Sequence, residues 1–325
     1  MATILVTGGS GFIGTHMVDA LLARGDTVVN LDKRPPAKAE HRPYWREMDL
    51  CDLPAVAGLL AETRPDAVIN LAAIADILLG KQAFAVNTVG LENLLKATAD
   101  WETKPRIVHA STQLVVGAGY EVKGPRHYEP YTEYGESKAD SEEVLWNWPG
   151  DVEWTIIRPA VVWGPYYPGF AKSTWYYLQK RWYLVPTKNT AHKSYSYVGN
   201  LVEQFLAAAR LPAELVNRKI FYGADEVFDS AIWLDAFAIA LTGRPAPRLP
   251  NALLRVLAIG GDVTLKLNLP SPINSGRLFR MTESYPVPLE DTMRVLGKGP
   301  YSLEVGVAAT VDWLRSAYPD RFPPV

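Results

Sequence analysis

The first apolar run, Ile4-Leu5-Val6, is short and unbroken, which predicts a strand buried on both faces. Glycines interrupt it, and a helical periodicity then begins with Phe12, Ile13, Met17, Val18, Leu21 and Leu22. The same alternation continues. Strands are predicted over residues 27–31, 44–48, 66–71, 106–110 and 154–158, and a helix over 82–99. Another helix opens at Asp52-Leu53-Pro54, where Asp52 can cap and Pro54 fits the first turn. Strands alternating with helices predict an α/β fold with a parallel sheet. Beyond about Tyr166 the pattern loosens. There 170–182 reads as an aromatic-rich helix, and 193–198 as a strand with Tyr195 and Tyr197 on one side. A helix begins at Gly199-Asn200, and another covers 229–241. No repeat or low-complexity linker appears. We therefore expect residues 1–165 to form one domain and 166–325 a smaller part interleaved with the same sheet.

The segment Thr7-Gly8-Gly9-Ser10-Gly11-Phe12-Ile13-Gly14 joins the first strand to the first helix. Gly8 permits a tight turn, Gly11 lets backbone approach a diphosphate, and Gly14 lets the helix pack close to the strand. The helix start, with Phe12 and Ile13, offers unpaired N–H groups and a positive dipole end to phosphates. The second strand ends at Asp32, 18 residues beyond Gly14. An acidic residue there accepts hydrogen bonds from ribose hydroxyls and repels a 2′-phosphate. This favours NAD, with NADP as the alternative because Lys33 and Arg34 follow.

The glycine spacing resembles the extended short-chain dehydrogenase/reductase superfamily, which includes nucleotide-sugar epimerases and dehydratases. The resemblance implies a Rossmann-type, doubly wound parallel sheet, a bound nicotinamide cofactor, and a C-terminal part that binds substrate. It also implies that Asp49-Leu50 touches the adenine and that Leu71-Ala72-Ala73 lies against the cofactor. Relatives often carry His-x-Ala-Ala there, whereas this chain has Asn70 in place of the histidine. In the family an asparagine at Asn87 bonds the strand that supports the site. The stretch from Arg158 through Pro159 to Gly164-Pro165 resembles the family's path into the nicotinamide and substrate region.

The candidate chemistry lies between these segments. The strand over 106–110 runs into Ser111-Thr112-Gln113, at the sheet edge where open α/β folds bind ligands. Further on stands Tyr131-Thr132-Glu133-Tyr134-Gly135-Glu136-Ser137-Lys138, which resembles the family's Tyr-x-x-x-Lys signature. Tyr134 and Lys138 are four apart and share a helix face. A free phenol, with a pKa near ~10, is a poor base at neutral pH, and a neighbouring ammonium lowers that value. Tyr134 can then take a proton from a substrate alcohol and return it. By resemblance Thr112 bonds the substrate oxygen and Lys138 also bonds the nicotinamide ribose. Gln113 and Arg277 are candidate substrate contacts, with Arg280 and Lys193 as further cations for a diphosphate or carboxylate.

Composition narrows the setting. A net charge of −2 without a basic block gives no reason to expect nucleic acid. Cys51 is the only cysteine, so no disulfide can form within the chain. The chain enters a strand at once, and no apolar run reaches the ~18 residues of a spanning helix. These features lead us to expect a cytoplasmic protein with no leader and no membrane span. Ten tryptophans and sixteen tyrosines point to aromatic packing or an aromatic-lined pocket.

These readings favour a nucleotide-sugar epimerase that retains NAD. A 4,6-dehydratase would carry an Asp-Glu pair directly after the threonine, where this chain has Gln113 and Leu114. The alternatives are an NAD(P)H-dependent nucleotide-sugar 4-ketoreductase, a 3β-hydroxysteroid-dehydrogenase-like oxidoreductase, and a cofactor-binding sensor without catalysis. The steroid alternative rests on Arg248-Leu249-Pro250 and the apolar stretch from Leu253 to Ala258. By family resemblance the chain is expected to form a homodimer.

Overall fold

The computed structural model describes residues 1–74, 81–188, 191–267, 271 and 273–324. The chain divides into two compact units. The first comprises Met1–Ala160, Val198–Ala224 and Pro288–Gly299, and the second Val161–Tyr197, Asp225–Val287 and Pro300–Val325.

The first unit is built on seven parallel strands: β1 (Thr3–Thr7), β2 (Thr27–Asp32), β3 (Trp45–Glu47), β4 (Ala67–Asn70), β5 (Arg106–Ala110), β6 (Trp154–Pro159) and β7 (Lys219–Gly223). Their order across the sheet is β7-β6-β5-β4-β1-β2-β3. The order reverses between β1 and β4, where a doubly wound sheet opens its ligand crevice. Ile4, Leu5 and Val6 of β1 are buried, as a central strand covered on both faces requires. Helices α1 (Phe12–Ala23) and α5 (Val198–Arg210) pack together and are tied by Arg24–Glu203. Helices α2 (Leu53–Thr63), α3 (Ala85–Ala97) and α4 (Glu133–Trp146) form a second packed row. Asp52 caps α2 by accepting from the N–H of Ala55.

The second unit contains a three-stranded sheet in which the strand His192–Tyr197 pairs parallel with Val161–Trp163 and antiparallel with Glu226–Asp229. Where the pattern predicts one helix over 170–182, two short ones occur, Pro168–Ala171 and Thr174–Gln179. The chain breaks at Ser173, whose hydroxyl donates to the carbonyl of Gly169 and so competes with continued helix. The break sets Phe170 against Trp175, with ring centroids 5.3 Å apart. Trp163, Trp175 and Phe237 are fully buried and in ring contact, so these aromatics build core. Tyr195 and Tyr197 are buried, and so are Ser194 and Ser196, which alternate with them, so both faces of that strand are covered.

Candidate active site

The glycine loop lies at the crevice between β1 and β4. Gly8 has φ +70°, and a Cβ there would stand 2.8 Å from the Cα of Ala72. A Cβ on Gly14 would stand 2.2 Å from the Gly8 carbonyl oxygen, so α1 can approach the loop only without a side chain. Gly9 is equally constrained, because its Cβ would meet Asn30 Oδ1 at 2.3 Å. Residue type alone did not single out this close approach. Gly11 begins α1 without a side-chain cap, so the positive end of the helix dipole meets the loop, where an anion is favoured. Phe12 and Ile13 are half-buried there. A small-residue cradle ending in uncapped amides fits the diphosphate of a dinucleotide.

Asp32 closes β2 beside this loop. Its Oδ2 accepts from the N–H of Ser10 at 3.1 Å, and its Oδ1 from the N–H of Arg34 at 2.9 Å. The carboxylate therefore shapes the loop. Lys33 donates to Asp49 at 3.0 Å. The N–H of Cys51 and Lys33 together hold the Asp49 carboxyl below its usual range. Leu50 is buried, and its carbonyl accepts from Asn93.

A buried hydrogen-bond chain then crosses the sheet. The Ala72 N–H donates to Thr7 Oγ1, which donates to Asn70 Oδ1 at 2.6 Å. Asn70 Nδ2 donates to His109 Nδ1 at 3.0 Å, leaving Nε2 to donate to Ser141 Oγ at 2.9 Å. Ser141 in turn donates to the Lys138 carbonyl. Burial, with the nearby Lys138 ammonium second, pushes the His109 pKa well below the ordinary imidazole value. Neutral His109 thus acts as a one-donor, one-acceptor link. Asn70, which departs from the family pattern, is the amide that completes the link from the glycine loop to α4.

A second set of bonds supports α4. Asn87 is buried on α3, not solvent-facing as a mid-helix polar residue usually is. Its Oδ1 accepts from the Ile74 N–H, and its Nδ2 donates to Ser137 Oγ at 3.0 Å. Ser137 donates to the Tyr134 carbonyl. Leu71 and Ala72 are half-buried and Ala73 exposed on the segment after β4.

Thr132 caps α4 through the Gly135 N–H. A Cβ at Gly135 would stand 2.4 Å from the Leu114 carbonyl oxygen, so this glycine lets the first turn of α4 press onto the turn Gln113–Val115. That turn starts at Thr112, which is buried and accepts from the Leu114 N–H; Gln113 is buried beside it. Tyr134 is half-buried, with its ring 6.0 Å from that of Phe84. Lys138 is 1% exposed, and its Nζ donates to the Ala110 carbonyl at 2.7 Å. Burial lowers its pKa to about 8 against the opposing pull of Glu142.

Glu142 and Arg158 form a fully buried ion pair. Arg158 donates through Nε and Nη2 to the two carboxylate oxygens, at 2.9 and 2.7 Å. Ser111 and Tyr128 also donate to Glu142. Arg158 further donates to the Pro125 carbonyl and bonds the Tyr222 hydroxyl. The pair anchors α4 to β6, which ends at the buried Pro159. Sequence reasoning passed over it; the available signal was a glutamate one helical turn after Lys138.

The glycine loop, Asp32, Asn87, Thr112, Tyr134 and Lys138 all belong to the first unit, whereas Arg277 belongs to the second. Arg277 is half-buried there, donates to the Ser271 carbonyl and lies 5.3 Å over the Tyr177 ring. Lys193 donates to the Arg280 carbonyl, and burial lowers its pKa to about 8.

Residues 4–222 match the model of the NAD dependent epimerase/dehydratase family. The chain belongs to that family. Among curated relatives of this epimerase/dehydratase chain is a 3 beta-hydroxysteroid dehydrogenase/Delta 5-->4-isomerase of Mycobacterium tuberculosis (strain CDC 1551 / Oshkosh). It is 30% identical over 64% of this chain and 60% of that protein. An N-acetyl-alpha-D-glucosaminyl-diphospho-ditrans,octacis-undecaprenol 4-epimerase of Escherichia coli O157:H7 is 31% identical over 62% of this chain and 61% of that protein. The chain thus spans about three-fifths of the length of these curated relatives. The structure of a Thermus thermophilus UDP-glucose 4-epimerase in complex with NAD superposes with a TM-score of 0.71. It covers 97% of this chain and 99% of that one, at 25% identity. Among the described residues no helix is long and apolar enough to cross a membrane, and no cluster suits a metal ion.

Proposed function

We propose that the chain is an NAD-dependent nucleotide-sugar epimerase, which oxidises a sugar hydroxyl transiently and reduces the keto-sugar from its other face. The observation that carries this reading is Lys138: a buried ammonium one helical turn from Tyr134, bonded at the end of the strand that leads into Thr112. Gly8, Gly11 and Gly14 would hold the diphosphate with the amides of Phe12 and Ile13. Asp32 would take the adenosine ribose, Asp49 and Leu50 would flank the adenine, and residues 71–73 with Pro159 would line the path towards the nicotinamide. NAD supplies the acceptor and donor of hydride when bound.

The protein's own work is to orient and to move a proton. Thr112 holds the substrate oxygen. Tyr134 Oη takes the hydroxyl proton as the carbon is oxidised and returns it on reduction. Lys138 stabilises the phenolate by its charge, and its retained ammonium is the reason Tyr134 can act near neutral pH. Asn87 and Ser137 keep the Tyr134 turn in place. Gln113 would lie beside the substrate, and Arg277, packed on Tyr177, is a candidate cation for a diphosphate or carboxylate. Gln113 and Leu114 supply no acid–base pair for elimination of water, which disfavours dehydration.

Lys138 sets an upper pH limit. Its folded pKa of about 8 lies below its ordinary value of 10.5, so the ammonium is lost as pH rises through about 8. We expect kcat/KM to fall above that pH. The contribution of this group to stability moves the other way. The buried charge is a cost present in full below about 8, relieved as pH rises towards 10.5. A pH–rate profile taken beside a pH series of thermal midpoints checks both signs.

The reading as a whole is tested on the purified protein with nothing added. Denaturation should release nicotinamide cofactor in stoichiometric amount as NAD, and the native protein should epimerise a nucleotide sugar without added cofactor. An empty site that consumes NADH or NADPH with a keto-sugar nucleotide would instead assign a ketoreductase. The 30% identity to a hydroxysteroid dehydrogenase favours a second reading, oxidation of an apolar secondary alcohol by the same residues. NAD reduction by a 3β-hydroxysteroid, without sugar turnover, would select it.

A further inference from the structure

Glu142 follows Lys138 by one helical turn on α4, so the two side chains leave the same face of the helix. Both are buried. Each oxygen of the Glu142 carboxylate accepts two bonds: Oε1 from Ser111 Oγ and Arg158 Nε, Oε2 from Arg158 Nη2 and Tyr128 Oη. A buried ion pair adds little stability over a well-packed apolar pair of similar volume. This one, however, reaches two residues given roles in the reaction above, and it reaches each by a single link.

The first link runs to Thr112. Ser111 precedes it and is held at both ends. Its N–H donates to the Ile157 carbonyl at 2.7 Å, and its hydroxyl donates to Glu142. Ile157 precedes Arg158 on β6, so the backbone anchor and the counter-ion of the carboxylate come from adjacent residues of one strand. The backbone that enters Thr112 is thus fixed from two directions. A hydroxyl that must hold a substrate oxygen depends on this, because a displacement of ~1 Å can cost about 10²-fold in rate.

The second link is electrostatic. Burial favours loss of the Lys138 proton, and the Glu142 carboxylate is the charge that opposes it. The surrounding groups are otherwise engaged. His109 on β5 is neutral and bonded through both ring nitrogens. Arg158 on β6 bonds both carboxylate oxygens and the Tyr222 hydroxyl of β7. Glu143, next to Glu142, pairs with Arg126 at the surface. From α3 the Asn87 amide reaches α4, at Ser137. Tyr134, one turn before Lys138, is the phenol that the ammonium serves.

We infer that Glu142 is a positioning residue for the reaction, fixing Thr112 through Ser111 and keeping Lys138 in its ammonium form by its own charge. The inference rests on the roles given above to Thr112, Tyr134 and Lys138, and its first test needs no substrate.

That test follows the isotope-labelled Cε resonances of lysine by NMR through a pH series, on the purified protein as isolated. The Lys138 signal is assigned by its loss in K138R. It should titrate at about 8 in the wild type. In E142Q the midpoint should fall by about one unit, the low end of what a neighbouring opposite charge supplies. In E142D, which keeps the charge, it should stay near the wild-type value. A carboxylate serving only as an anchor would lower the thermal midpoint in both variants and leave the lysine midpoint unmoved. Glu142→Leu/Arg158→Met replaces E142Q if that protein does not fold, because it also removes the carboxylate and leaves no unpaired ion. A midpoint unchanged without the carboxylate, or lowered as far in E142D as in E142Q, overturns the inference.

The second measurement is kcat of S111A on whichever alcohol the wild type turns over. It should fall about ten-fold, with bound cofactor, KM and the Lys138 midpoint unchanged, since the ion pair stays whole. Wild-type kcat in S111A also overturns the inference. A wild type that turns over no sugar nucleotide, beside a lysine that shifts in E142Q as stated, fails the proposed substrate and leaves this inference standing.

Discussion

Replacing Tyr134 by Phe lowers kcat by about 10²–10⁴-fold, the span of a lost general acid–base group, while bound cofactor and thermal midpoint stay at wild-type values. The separation follows from what the substitution removes. The ring against Phe84 is retained, so the packing is kept. Thr132 and Ser137 hold the turn through backbone groups, and neither bond uses the phenol. The glycine loop is untouched, so the diphosphate keeps its cradle. Only the hydroxyl that would exchange a proton with the substrate is gone. Steady-state kinetics beside a cofactor assay of the denatured variant checks the prediction. Wild-type turnover in the variant would remove Tyr134 from the mechanism.

The second large effect is on stability. Changing Glu142 to Gln leaves Arg158 charged, buried and without its carboxylate. Breaking a buried pair from one side costs about 3–5 kcal/mol. The loss should be near the upper end, because Ser111, Tyr128 and Arg158 all donate to this carboxylate. The double variant Glu142→Leu/Arg158→Met should recover only part of it, since removing both charges leaves no uncompensated ion but strands the Ser111 and Tyr128 hydroxyls. Its remaining deficit should be about 1–3 kcal/mol for each hydroxyl left without a partner. Chemical denaturation of the three proteins measures the difference. A Glu142→Gln protein within about 1 kcal/mol of wild type would show that Arg158 finds solvent or another partner.

Much of the first unit was legible in the chain. Buried strands are short apolar runs, their helices carry a 3.6-residue period, and glycines mark where the two meet. Asp32 and the Tyr134–Lys138 spacing could be read because their chemistry depends on short separations along one element. The resemblance from Gly8 to Pro165 carried the family, and the match over residues 4–222 agrees with it. The second unit was harder. Residues 170–182 have the composition of one helix, but a serine hydroxyl returning to a carbonyl split it into two.

The local pattern by itself determined the alternation of strands and helices and the glycine loop, because each is set by residues within a few positions of one another; Tyr134 and Lys138 became candidates through the order of the motifs and the family resemblance. Only the tertiary structure decided how those parts are held. Asn70 meets His109 across 39 positions and His109 meets Ser141 across 32, so no local window contains that link. Glu142 and Arg158 stand 16 positions apart, and only folding removes both from water and leaves each as the other's counter-ion. In the helix Asn251–Lys266 only the fold decides which apolar positions are covered: Leu254, Ala258 and Gly261 are buried, with Gly261 pressed on the Ile273 backbone, while Val256, Ile259 and Val263 stay exposed.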